Sequence, residues 1–233
     1  MKQQSARIIA NEKLAKDIYR MELACDTTEI TAPGQFVNVA VPGRYLKRPI
    51  SVCDWDQGRL TIIYKRVGAG TDYLSKVEPE SRIDLLMPLG NGYDVDAIPD
   101  NAILVGGGVG IPPLYGLAKA LISQGKKPRV YLGFNSLEES FYVNEFYDLG
   151  VELEVKIEGF VTEILPQGGY YCACGPMVML RALDGYADAG QFSFEARMGC
   201  GFGACMGCSM ETKEGPRRVC TEGPVFPKEV ILW

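Results

Sequence analysis

Four of the eight cysteines fall within the last 34 residues, at Cys200, Cys205, Cys208 and Cys220, in the spacing Cys-x4-Cys-x2-Cys-x11-Cys. Small residues fill the tightest part, Gly199-Cys200-Gly201-Phe202-Gly203-Ala204-Cys205-Met206-Gly207-Cys208. Thiolates around a bound metal centre carry excess negative charge, and Gly and Ala let backbone N–H groups approach the sulfurs closely. The x4, x2 start with a distant fourth Cys is the plant-type 2Fe–2S spacing. A structural four-Cys zinc site normally presents two Cys-x2-Cys pairs, and only one occurs here. The chain has no secretory opening at Met1-Lys2-Gln3-Gln4-Ser5. The cysteines therefore read as ligands in a reducing, cytoplasmic setting and not as a disulfide framework.

Composition narrows the chemistry further. The 233 residues include no His, which removes the commonest general base and any Ser/His or Cys/His nucleophile. Lys plus Arg is 24 against 29 Asp plus Glu, a net charge of −5 that argues against a nucleic-acid or anionic-membrane surface. No apolar run approaches the ~20 residues needed to span a bilayer.

Ahead of the cysteines the chain divides into two patterns. Short apolar or alternating runs at 18–23, 36–41, 60–64 and 83–87 are separated by turn formers such as Ala32-Pro33-Gly34 and Asp56-Gln57-Gly58. This spacing predicts a small antiparallel β-barrel over residues 1–97. Strand and helix then alternate: strands at 102–105, 129–134, 151–157 and 170–173, helices at 114–123, 138–149 and 177–189, with Gly190 as the last stop. That order predicts an α/β domain with a parallel sheet over 98–190. Residues 191–233 are expected to form a small irregular or β iron–sulfur domain.

Three further motifs suggest binding. Arg48-Pro49-Ile50-Ser51 is often only a strand entrance, but an Arg fork can clamp a pyrophosphate and a Ser hydroxyl can meet a flavin edge. Gly68-Ala69-Gly70-Thr71 opens a helix-like stretch and presents bare N–H groups, although such a turn is more often just a turn. Gly106-Gly107-Gly108-Val109-Gly110 sits between strand and helix, where open α/β sheets bind nucleotides. It is not G-x-G-x-x-G, and no acidic residue ends the second strand, so an ordinary Rossmann dehydrogenase is not expected. Cys172-Ala173-Cys174-Gly175-Pro176 is a second strand-to-helix turn that should meet the first at one sheet edge, with Cys172 simply packed.

In this order the motifs resemble the ferredoxin reductase superfamily, and the cysteines narrow the resemblance to electron-transfer subunits serving NADH-dependent dihydroorotate dehydrogenase B. The resemblance implies FAD contacts at Arg48, Pro49, Ile50 and Ser51, a strand along the FAD at Ile63, Tyr64 and Lys65, and a pyrophosphate turn at Gly70 and Thr71. It implies NAD(H) loops at Gly106, Gly107, Gly108 and Gly110 and at Cys174, Gly175 and Pro176, with Cys174 near the nicotinamide. It makes Cys200, Cys205, Cys208 and Cys220 the 2Fe–2S ligands and assigns no acid–base residue. The implied partner is an FMN-containing catalytic subunit that oxidises dihydroorotate, in a heterotetramer of two of each. Other readings are a ferredoxin-linked reductase subunit and a zinc-stabilised binding module without redox function. Compared with that family, the passage Lys156-Ile157-Glu158-Gly159-Phe160 is short. The stretch Gly133-Phe134-Asn135-Ser136-Leu137-Glu138-Glu139, with two carboxylates and no cation, predicts NADH over NADPH.

Overall fold

A computed structural model describes all 233 residues. Six antiparallel strands close a barrel in the order β1-β2-β5-β4-β3-β6. They are β1 (Lys2–Ala15), β2 (Ile18–Ala24), β3 (Phe36–Val39), β4 (Arg48–Asp56), β5 (Arg59–Lys65) and β6 (Arg82–Leu89), with the short helix α1 (Ala69–Leu74) before β6. The alternation seen in the sequence places Met21, Leu23, Val37, Val39, Leu60, Ile62 and Leu85 in one buried core. Asp56 pairs with Arg59 across the two-residue turn Gln57-Gly58, where Gly58 supplies a φ of +86°. The long strand β1 carries too many exposed polar residues for apolar runs to reveal it.

The second sheet is built from β7 (Ile103–Gly107), β8 (Arg129–Phe134), β9 (Glu152–Ile157), β10 (Tyr170–Cys174), β11 (Ala189–Ser193) and β14 (Val225–Pro227). Its order is β14-β11-β10-β7-β8-β9, parallel except for β14. Helices α2 (Ile111–Ser123), α3 (Val143–Asp148) and α4 (Met177–Leu183) connect its strands. The chain between β11 and β14 carries the cysteines and a hairpin of β12 (Ser209–Thr212) and β13 (Gly215–Arg218). The tail expected to form a small irregular or β domain thus also contributes an edge strand to the nucleotide-type sheet.

Three helix limits differ from the sequence reading. Helix α2 begins at Ile111, with Pro112 and Pro113 inside its first turn, where no N–H donor is needed. The helix predicted over 138–149 breaks into a 3-10 turn at Leu137–Glu139 and the short α3. Tyr142 takes φ +62° there, so that Phe141 and Tyr142 turn inward against Phe134 and Tyr115, with ring centroids 5.7 and 5.1 Å apart. Burial of these rings overrides helix propensity. The last helix stops at Leu183, and Gly190 lies inside β11 instead of ending a helix. A Cβ on Gly190 would stand 2.1 Å from the Tyr171 carbonyl oxygen, so this glycine serves close approach to β10.

Candidate functional site

A cavity of about 380 Å³ opens between the barrel and the second sheet. Its barrel wall comes from Arg48, Pro49, Ile50 and Ser51 of β4, Ile63, Tyr64 and Lys65 of β5, Phe36 of β3 and Thr71 of α1. The facing wall is Val109, Cys174 and, at and after the end of β11, Ser193, Phe194, Glu195, Ala196 and Met198. Its volume is in the range of small-molecule and cofactor sites.

Arg48 donates through Nη1 to the carbonyls of Leu46 (2.6 Å) and Lys47 (3.4 Å), and its Nε and Nη2 make no hydrogen bond within the protein. Its guanidinium lies across Gly70, where a Cβ would sit 2.2 Å from Nε. Only glycine admits that contact, so the Gly70-Thr71 turn and the Arg48 fork are one construction. The Thr71 hydroxyl accepts from the N–H groups of Val67 (2.9 Å) and Gly68 (3.2 Å) and fixes the turn. Guanidinium donors without protein partners, beside a helix start, suit a phosphate group. Arg48→Ala should weaken FAD binding about 10- to 100-fold, the equivalent of one charge-assisted hydrogen bond at ~1.5–3 kcal/mol. Flavin content after dilution and gel filtration measures this, and unchanged content contradicts it.

The glycine-rich turn and the Cys-Gly-Pro turn do meet. Strands β7 and β10 are parallel neighbours, with Gly106 opposite Cys174, and connectivity departs from them in opposite directions. This is the switch point at which open α/β sheets hold nucleotides. A Cβ on Gly110 would lie 2.2 Å from the Cys174 carbonyl oxygen, and one on Gly107 would lie 3.0 Å from Pro176. Of these residues only Cys174 lines the cavity, together with Val109; Gly106, Gly107, Gly108, Gly110, Gly175 and Pro176 lie outside its lining. Burial pushes the Cys174 thiol up to about 12, so it is a neutral thiol at physiological pH and not a nucleophile. Cys172 is fully buried in the core, the packing role expected of it.

The carboxylates after β8 are not bare. Glu138 pairs with Lys16 (3.2 Å), and Glu139 pairs with Lys65 (3.2 Å) while accepting from Asn135 Nδ2 (3.4 Å). Residues 133–139 themselves hold no cation, and the fold brings two lysines from the barrel, distant in sequence, to their carboxylates.

The x11 spacer between Cys208 and Cys220 is the β12–β13 hairpin, which pairs Ser209 with Arg218 and so returns the chain beside Cys208. The Val219 N–H donates to the Cys208 carbonyl (3.1 Å), and both Cys208 and Cys220 are buried. In the outer pair, Cys200 Sγ accepts from the N–H groups of Cys205 (3.4 Å) and Phe202 (3.5 Å), and Cys200 N–H donates to Cys205 Sγ (3.4 Å). Desolvation raises the Cys200 thiol, but N–H donation from Phe202, Cys205 and Ala204 outweighs it and brings it to about 6. The thiols sit on one loop and hairpin as two pairs, Cys200 with Cys205 and Cys208 with Cys220, and no three of them converge on one metal-binding point. Their donor chemistry, thiols with N–H groups turned to sulfur, is that of a thiolate-held cluster.

Sequence reasoning missed the residues between 193 and 198 that line the cavity, and with them Phe36, Val67, Val109 and Pro224. Placing a parallel strand at 189–193 would have found the first of these, since its C-terminal end must face the ligand edge.

Barrel, switch-point sheet and thiol loop, in this order, are the architecture of ferredoxin reductase-type electron-transfer proteins. A chain of the NADH-dependent reduced ferredoxin-NADP oxidoreductase superposes with a TM-score of 0.86 at 27% identity, covering 98% of this chain and 90% of that one. Phthalate dioxygenase reductase shares the fold, with a TM-score of 0.66 at 19% identity over 91% and 87% of the two chains. Residues 195–232 match the iron–sulfur cluster binding domain of dihydroorotate dehydrogenase B. The electron transfer subunit of dihydroorotate dehydrogenase B (NAD(+)) from Geobacillus sp. is 40% identical over all of both chains, and that from Lysinibacillus sphaericus is 37% identical over 99% of both. The chain belongs to this family of dihydroorotate dehydrogenase B electron transfer subunits.

Proposed function

We propose that this chain carries electrons between NAD(H) and a separate catalytic subunit, holding FAD in the barrel cavity and a 2Fe–2S cluster on Cys200, Cys205, Cys208 and Cys220. One observation carries the reading: the chain that forms the far wall of the cavity, through Met198, reaches the first cluster thiol two residues later at Cys200. FAD and the cluster supply the exchange between two-electron hydride and single-electron chemistry.

The protein's own residues bind and place. Arg48 and the Gly70-Thr71 turn take the flavin's phosphates, and Ser51, Ile63, Tyr64 and Lys65 line its ring. The Tyr64 hydroxyl is held by donation to Asn11 Oδ1 (2.9 Å), and burial keeps it protonated. Gly106, Gly107, Gly108, Gly110, Gly175 and Pro176 form the nicotinamide nucleotide loops, with Cys174 as a neutral contact on the cavity wall. The partner in this reading is the FMN-containing subunit that oxidises dihydroorotate, two of each in the assembly, in the cytoplasm. No helix is long and apolar enough to cross a membrane. We divide the functional units at 97/98 and 190/191, while β11 and β14 tie the last unit into the sheet. A ferredoxin-linked role is the second reading, favoured by the 0.86 superposition.

Anaerobic titration with NADH, followed in the visible spectrum with iron and sulfide analysis, tests this reading. Flavin and iron–sulfur bands should be present and bleach with NADH. NADPH should be poorer by at least about tenfold in kcat/KM, the equivalent of ~1.4 kcal/mol. Lys16 and Lys65 are matched by Glu138 and Glu139, so that turn offers no net positive charge to a 2′-phosphate. A colourless zinc protein contradicts the assignment, and equal use of the two nucleotides contradicts the specificity.

A further inference from the structure

Strand β3 is buried along its whole length, and three of its four residues are apolar. The fourth, Asn38, is 1% exposed. Alternation puts Val37 and Val39 in the barrel core, and Phe36 and Asn38 on the outer face. Phe36 lines the cavity. Asn38 meets the thiol loop instead: its Nδ2 donates to the Cys200 carbonyl at 3.1 Å, while its Oδ1 is buried without a partner. Packing alone favours an apolar residue at such a site, because a buried amide left half-satisfied is costly.

The loop is shaped to receive this amide. Gly201 has φ +79°, and a Cβ there would stand 2.1 Å from Asn38 Nδ2. The next residue, Phe202, gives its N–H to Cys200 Sγ. The barrel therefore grips the peptide between a cluster thiol and a donor to that thiol. The other end of the cysteine segment is held separately. Asn91 donates to the carbonyls of Glu222 and Val225 (3.0 Å each), and its Oδ1 accepts from the Val225 N–H (3.1 Å). Arg218 braces the loop from the hairpin side through the Gly203 carbonyl (3.0 Å). Asn38 is thus the hydrogen bond from the flavin-binding barrel to the first ligand loop.

We propose that Asn38 is a positioning residue that fixes the Cys200–Phe202 turn against the flavin barrel, and so sets the N–H···S donation to the Cys200 sulfur. The proposal rests on the cluster assignment above. Hydrogen bonds to cluster sulfurs tune reduction potential. Losing the grip weakens one of them and disfavours the reduced cluster.

The test uses the full chain with both cofactors, as wild type, Asn38→Leu and Gly201→Ala, the last disturbing the same contact from the loop side. Iron, sulfide and FAD are quantified, and the reduced cluster's paramagnetic resonance spectrum and midpoint potential are measured. Both variants should retain FAD, change the g-values and move the midpoint negative by about tenfold in the one-electron equilibrium, about 59 mV. Should Asn38→Leu fail to assemble its cluster, Asn38→Ser, which keeps a donor in a smaller side chain, is measured in its place. Unchanged spectrum and midpoint in a fully loaded variant overturn the role of Asn38 and leave the cluster assignment standing. Absence of iron and sulfide from the wild type overturns the assignment itself.

Discussion

Cys208→Ala should strip the iron and acid-labile sulfide from the purified chain and leave its FAD content unchanged. Cys208 is 3% exposed and lies at the base of the β12–β13 hairpin that brings it beside Cys220. No other cysteine can replace it, because Cys25, Cys53, Cys172 and Cys174 belong to the barrel or to the sheet. Alanine leaves three thiolates, one short of the four that such clusters use. Cys205→Ala should behave alike, although Cys205 is exposed, because its sulfur faces Cys200 across the loop. FAD survives in both variants because none of the four cysteines lines the cavity. A full complement of iron and sulfide in either variant would show that the ligands lie elsewhere.

What the sequence made legible was whatever is encoded over short range. The thiol spacing is local chemistry, and the barrel strands are local alternation, as at Leu60 and Ile62 of β5, both in the barrel core. The two nucleotide turns were visible because Gly, Pro and Cys punctuate strand ends at Gly106 and Cys174. What stayed hidden depends on tertiary neighbours. Tyr142 breaks its helix only because Tyr115 and Phe141 wait for its ring. Gly190 is a strand residue because Tyr171 crowds it. Lys16 and Lys65 neutralise Glu138 and Glu139 from 122 and 74 residues away. The length of the x11 spacer is plain in the sequence, but its being a hairpin that returns the chain from Cys208 to Cys220 depends on the register of Ser209 with Arg218.

Given NADH, this chain by itself should reduce artificial acceptors, yet it should not oxidise dihydroorotate. Its sheets are a closed six-stranded antiparallel barrel, a six-stranded open sheet and the two-stranded thiol hairpin, and none of them is a (β/α)₈ barrel with a substrate pocket at its top face. The second cavity, lined by Leu14, Phe141, Tyr142, Val155 and Ile157 among others, is largely apolar and lies away from the thiol loop. In the proposed role, electrons pass to the partner through a surface. Phe202 and Met206 stand 45% and 55% exposed on the loop of Cys205, which in the proposed role puts them where a partner subunit would meet the cluster.

The proposed role is tested most directly by mixing this chain, loaded with FAD and cluster, with the catalytic subunit proposed as its partner and following NADH absorbance after dihydroorotate is added with NAD. The mixture should form NADH at a rate that saturates with the catalytic subunit, and each component alone should form none. Dihydroorotate-dependent NADH formation by this chain alone, free of FMN protein, would contradict the account, as would a mixture in which its presence makes no difference.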